Sequence, residues 1–138
     1  MAGIPLFGLI YKSGSILVDR KDKNSRRESF DQMKKVLHQG MHLILYPEGT
    51  RNKTSDPLKP FHDGAFSLAI DTQTPIIPAL IFSTRSILPP GKIFYGWPHV
   101  IRIHFLEPVS VENYTIKDVT ALKEKVFDQM KNYYIENG

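Results

Sequence analysis

Apolar positions fall along the chain in short blocks separated by polar, glycine- or proline-bearing breaks, and the period changes from block to block. Ile4 to Lys12, IPLFGLIYK, predicts a short apolar helix opened by Pro5 and closed by Gly14. Ser15 to Asp19, SILVD, is compact and partly β-branched, which predicts a buried strand. After the polar RKDKN, Ser25 and Glu28 have the spacing of a capping box, and Phe30, Met33 and Leu37 share one helical face. That helix is expected to stop at Gly40. Met41 to Tyr46, MHLILY, predicts another buried strand, Gly64 to Asp71 a short helix, and Pro75 to Ser83 a further strand with prolines near its start. Val100 to Leu106 alternates Ile101, Ile103 and Phe105 with Arg102 and His104, the pattern of a half-exposed strand with His104 outward. Thr115 and Asp118 open a last helix whose apolar side carries Val119, Leu122, Val126, Met130 and Tyr133. Strands alternating with helices predict an α/β domain with a largely parallel central sheet flanked by helices.

The chain has 138 residues, the length of one domain with a sizeable core. It contains no Cys, which excludes disulfides and thiolate metal sites. The formal net charge of +4 and pI near 9.3 suit a phosphorylated small molecule, an anionic membrane surface or nucleic acid. Nucleic acid is the weakest of these, because the basic residues are interleaved with Asp22, Glu28 and Asp31 and no recognition motif accompanies them. No apolar run approaches the ~18 residues of a membrane span. The opening MAGIPLFGLIYK lacks a basic leader, so no signal peptide is expected.

In open α/β sheets ligands bind beyond the carboxyl ends of the strands, and YPEGTR, residues 46–51, directly follows an apolar run. Pro47 has no N–H for a ladder. Gly49 permits a positive φ or a close ligand approach. Arg51 can fork onto two phosphate oxygens, and Thr50 adds a hydroxyl donor. Glu48 is suited either to accept from a substrate hydroxyl or to hold Arg51. A surface turn with an exposed ion pair explains the same residues equally well. SGSILVDR likewise ends a predicted strand with Asp19 and Arg20, so that two arginine-bearing strand ends would converge on one anion. Lys21 and Lys23 read as a solvated loop.

SGSILVDR, LILYPEGTRN and TPIIPALI, in that order, resemble the second, third and fourth sequence blocks of the glycerophospholipid acyltransferases, with the pattern of bacterial 1-acylglycerol-3-phosphate acyltransferases. PFHDGAFSLAID, residues 60–71, falls where the family has an F-x-x-G-x-x-x-x-A segment, with Asp63 in place of a frequent lysine. The resemblance covers about Ile4 to Pro108. It implies a single acyltransferase domain over residues 1–138 and transfer of an acyl group from a thioester, on coenzyme A or acyl carrier protein, to the free hydroxyl of a lysophospholipid in phospholipid biosynthesis. No other cofactor and no metal is implied. By the same resemblance Glu48, Gly49, Thr50 and Arg51 hold the acceptor phosphate, and Gly14, Asp19 and Arg20 shape and charge the same pocket. Pro75, Ile77 and Pro78 form scaffold and acyl-side wall.

The family's first block, His-x-x-x-x-Asp, supplies the base and its orienting carboxylate, and lies upstream of the second. None of His38, His42, His62, His99 and His104 has Asp at that spacing. The chain therefore reads as an acyltransferase domain lacking its N-terminal part, inactive alone, with Met1 an internal or boundary start. His62 beside Asp63 reads as a loop histidine, His42 as a core or face residue of its strand. Family resemblance implies peripheral contact with the cytoplasmic face of a membrane, or anchoring through the missing segment. IPLFGLIY and the group Phe94, Tyr95 and Trp97 suit an interface, or equally core and turn packing. The alternative reading is a non-catalytic module that binds anionic phospholipid or another phosphorylated ligand through Arg20 and Arg51.

Overall fold

A computed structural model describes Ile16, residues 22–89 and residues 98–138. The expected helix Ile4 to Lys12, most of the strand Ser15 to Asp19, and Phe94, Tyr95 and Trp97 lie outside the described residues. The chain divides into two compact units, Met1–Ile44 and Leu45–Gly138.

In the first unit, helix α1 spans Lys23–His38. It starts ahead of the expected Ser25 box. The Asp22 carboxylate accepts from the N–H groups of Asn24 at 3.0 Å and Ser25 at 3.1 Å, so two of the helix's unpaired donors are satisfied before Ser25 is reached. Ser29 is buried and donates its hydroxyl to the Ser25 carbonyl at 2.6 Å. The helix stops where expected. Gly40 takes φ +76° and donates to Leu37, and Met41 donates to Val36, which closes the last turn on its own carbonyls. Phe30, Met33 and Leu37 are half-buried, as their spacing requires.

The second unit runs α2 (Gly64–Thr72), β1 (Ala79–Phe82), the single turn α3 (Thr84–Ile87), β2 (Arg102–Phe105) and α4 (Val119–Asn137). Helix α2 buries Phe66, Leu68, Ala69 and Ile70. Helix α4 is entered through the expected Thr115 and Asp118 box: the Thr115 N–H and hydroxyl donate to one Asp118 carboxylate oxygen at 2.9 and 2.6 Å. Its Leu122, Val126 and Met130 are buried. They meet Phe66, Ile70, Leu80, Phe82, Val109 and Val111 in one core.

The strands depart from expectation in three ways. First, β1 and β2 pair antiparallel, with Ala79 opposite Phe105 and Ile81 opposite Ile103, and a bridge from Ile76 to Val109 continues the pairing. A parallel pair requires a crossover, usually a helix. Here the described connection holds only the four-residue turn α3, and the chain reverses. Second, Met41 to Tyr46 forms no strand among the described residues. Ile44 is 85% and Tyr46 73% exposed, and His42, expected in a core or on a strand face, is exposed as well. An apolar run becomes a strand only when its backbone finds a partner. Third, β2 alternates as read but with its faces inverted. His104 is half-buried: its Nδ1 lies 2.9 Å from the Tyr133 hydroxyl and its ring 4.9 Å from that of Phe82. Ile103 and Phe105 point the other way and are exposed. Helix α4 brings Tyr133 and Tyr134 to the histidine side, and Tyr134 stacks on Phe82 at 5.4 Å. Among the described residues no helix is long and apolar enough to cross a membrane.

Candidate functional site

Residues 46–51 form a compact double turn. The Gly49 N–H donates to the Tyr46 carbonyl at 3.0 Å, closing a turn whose second residue, Pro47, has its φ already set. The Thr50 N–H then donates to the Glu48 carbonyl at 2.8 Å, a γ-turn centred on Gly49 at φ +69°. A side chain at position 49 would be strained there, so the glycine is required by the turn itself.

Two bonds clamp this turn to the returning segment. The His62 N–H donates to the Pro47 carbonyl at 2.9 Å, and the Lys59 N–H donates to Glu48 Oε2 at 3.0 Å. Between them Asn52 organises the loop. Its Nδ2 donates to the Asp56 carbonyl at 2.9 Å, and its Oδ1 accepts from the Thr54 N–H and hydroxyl at 2.9 and 2.8 Å. This is the side-chain-to-backbone bonding that makes asparagine a turn residue.

Three donor-bearing side chains result. Arg51 is exposed and donates through one Nη to the Leu88 carbonyl, its sole partner among the described residues. Thr50 is exposed, and its Oγ1 accepts from Lys59 Nζ at 2.6 Å. Because the ammonium can only donate, the hydroxyl proton of Thr50 stays available to another acceptor. Glu48 and Arg51 form no ion pair among the described residues; the carboxylate braces the backbone instead. The arrangement is a rigid turn that presents N–H and O–H donors and two cations, chemistry suited to phosphate oxygens.

The sequence-based site is thus gathered in part. Glu48, Gly49, Thr50 and Arg51 sit on one turn, with Glu48 in a bracing role. Gly14, Asp19 and Arg20 lie outside the described residues. Lys59 and the Leu88 carbonyl were not anticipated. Lys59 carries no motif of its own, and its placement before Pro60, which holds it extended, was the one available signal. His62 is exposed, and Asp63 pairs with Lys123 at 2.6 Å rather than orienting the imidazole. Among the described residues no cluster of His, Cys, Asp or Glu is arranged to hold a metal ion.

The sequence profile of the family described as Acyltransferase matches residues 1–82. The chain belongs to the acyltransferase family. This acyltransferase chain is 34% identical over 142 residues to a 1-acyl-sn-glycerol-3-phosphate acyltransferase of Saccharomyces cerevisiae, covering 98% of the chain and 45% of that relative. It is 30% identical over 135 residues to one of Haemophilus influenzae, covering 96% and 55%. The acyltransferase chain therefore spans about half the length of the curated relatives it matches. The crystal structure of the 1-acyl-sn-glycerophosphate (LPA) acyltransferase PlsC from Thermotoga maritima superposes with a TM-score of 0.76 at 22% identity, covering 98% of the chain and 52% of that structure. The two share a fold.

Proposed function

We propose that residues 46–51 hold the phosphate of a lysophospholipid acceptor, such as 1-acylglycerol-3-phosphate, during acyl transfer from a thioester in phospholipid biosynthesis. The observation that carries this reading is the double turn at Gly49, which fixes Thr50 and Arg51 side by side while Glu48 is occupied by the Lys59 backbone. In the reaction the acceptor hydroxyl oxygen attacks the thioester carbonyl. The C–S bond breaks, and the hydroxyl proton passes through a base to the departing thiolate, which leaves as the thiol. Holding the phosphate aims the hydroxyl. Pro75, Ile77 and Pro78 belong to the acyl side of the proposed pocket.

The 138 residues contain no His-x-x-x-x-Asp, so on this reading they hold the acceptor without deprotonating it. The lipid character of both substrates supports contact with the cytoplasmic face of a membrane. Coenzyme A or acyl carrier protein delivers the acyl group. A largely parallel central sheet stays with this proposal, supported by the alternating blocks of the sequence. The two cations Arg51 and Lys59 also suit a second reading, a non-catalytic module for anionic phospholipid.

Thiol release from acyl-coenzyme A in the presence of lysophosphatidic acid tests the proposal, and the lack of Cys leaves no background from the protein. The 138 residues alone are expected to release nothing above a blank, and a longer form of the protein that carries a His-x-x-x-x-Asp block is expected to release thiol. Release by the 138 residues alone would mean that they hold a base, with His62 the first to substitute. No release in either form favours the binding module.

A further inference from the structure

We infer that Lys59 is the second cation of this phosphate site and sets its preference for a phosphomonoester over a phosphodiester acceptor. The inference rests on the acceptor-phosphate reading of residues 46–51. Lys59 is held at both ends. Its backbone N–H is bound by Glu48 Oε2 at 3.0 Å, and its ammonium lies 2.6 Å from Thr50 Oγ1, next in sequence to Arg51. Its side chain is half-buried and Pro60 restricts its backbone, so little conformational freedom remains to be lost on binding.

The charge of Lys59 is also uncompensated. Among the described residues no carboxylate pairs with its ammonium: Glu48 bonds its backbone, and Asp63 pairs with Lys123. After donating to Thr50 the ammonium keeps two further N–H donors. An anion bound by the Thr50 hydroxyl and Arg51 therefore meets a second positive charge at Lys59. A phosphomonoester carries nearly two negative charges at neutral pH, a phosphodiester one. At equal distance, one cation attracts a dianion with twice the energy of a monoanion. The added cation thus discriminates in favour of the monoester.

The test titrates hexanoyl lysophosphatidic acid, a monoester, and hexanoyl lysophosphatidylcholine, a diester, into the 138-residue chain by calorimetry at pH 7.5. Lys59→Met is expected to weaken monoester binding about ten-fold or more and diester binding only about three-fold, and so to narrow the preference. Lys59→Gln, which keeps a donor for Thr50 but no charge, is expected to behave as Lys59→Met, and Lys59→Arg to restore the preference. Unchanged monoester binding in Lys59→Gln, alongside its loss in Arg51→Ala, overturns the role of Lys59 and leaves the phosphate site standing. Absence of monoester preference in the unaltered chain likewise overturns the role of Lys59, and absence of binding of either ester overturns both.

Discussion

The carboxylate of Glu48 accepts the backbone N–H of Lys59 at 3.0 Å, joining two residues eleven positions apart. One bond thereby sets the width of the loop that carries Thr50, Arg51 and Asn52. It also removes Glu48 from competition for Arg51, whose charge is left to act on a ligand.

Glu48→Ala is expected to open this loop. The lost bond is charge-assisted and half-buried, worth about 1 kcal/mol after allowance for solvent. Amide exchange at Lys59 should accelerate about five-fold or more, whereas Glu48→Gln, which keeps an acceptor oxygen, should stay close to the unaltered protein. Equal protection in Glu48→Ala would remove the bracing role.

Gly49→Ala places a Cβ on a backbone at φ +69°. The left-handed region costs an L-residue about 1–2 kcal/mol, and the denaturation midpoint in urea should fall accordingly. Gly49→Asn should cost less, because asparagine tolerates this region. An unchanged midpoint in Gly49→Ala would mean that the turn relaxes freely.

His104 and Tyr133 offer a test of the inverted strand face. Tyr133→Phe removes the partner of a half-buried imidazole and should destabilise by about 0.5–1.5 kcal/mol. Ile103→Thr, on the exposed face, should stay within about 0.5 kcal/mol of the unaltered chain. The opposite order in chemical denaturation would restore the outward histidine.

The Asp118 carboxyl is held below the usual carboxylate range, first by the hydrogen bond from the Thr115 hydroxyl and then by that from the Thr115 backbone. A carboxylate depressed in the folded state stabilises above its unfolded value, and that contribution is lost as pH falls through the folded value, in the acid range. Thr115→Val should move the Asp118 titration, followed by NMR, upward toward the ordinary carboxylate value. No movement would exclude the hydroxyl as the main cause.

What could be read from the sequence was local. The Thr115 and Asp118 box, the stop at Gly40 and the apolar stripe through Leu122, Val126 and Met130 each depend on residues within a few positions of one another, and each is present. Gly49 belongs with them, since the demand for a positive φ arises inside a turn of four residues. The misreadings were tertiary. Ser25 and Glu28 imitate a capping box, but Asp22 lies earlier and binds first. Ile103 and Phe105 look inward by composition, yet the inward side is decided by Tyr133 and Tyr134 on α4. Met41 to Tyr46 has the residues of a strand and, among the described residues, no partner. In the site, Glu48 to Arg51 were legible because they are contiguous. Lys59 and Leu88 reach them from nine and thirty-seven positions away along the chain, which no spacing rule covers.

The central claim is that Arg51 and its turn hold the acceptor's phosphate. Its most direct test is the binding of hexanoyl lysophosphatidic acid and of acyl-coenzyme A to Arg51→Ala beside the unaltered chain. Acceptor binding should weaken at least ten-fold, the value of a charge-assisted bond, while donor binding changes little. Equal loss for both ligands, or none for the acceptor, would contradict the claim.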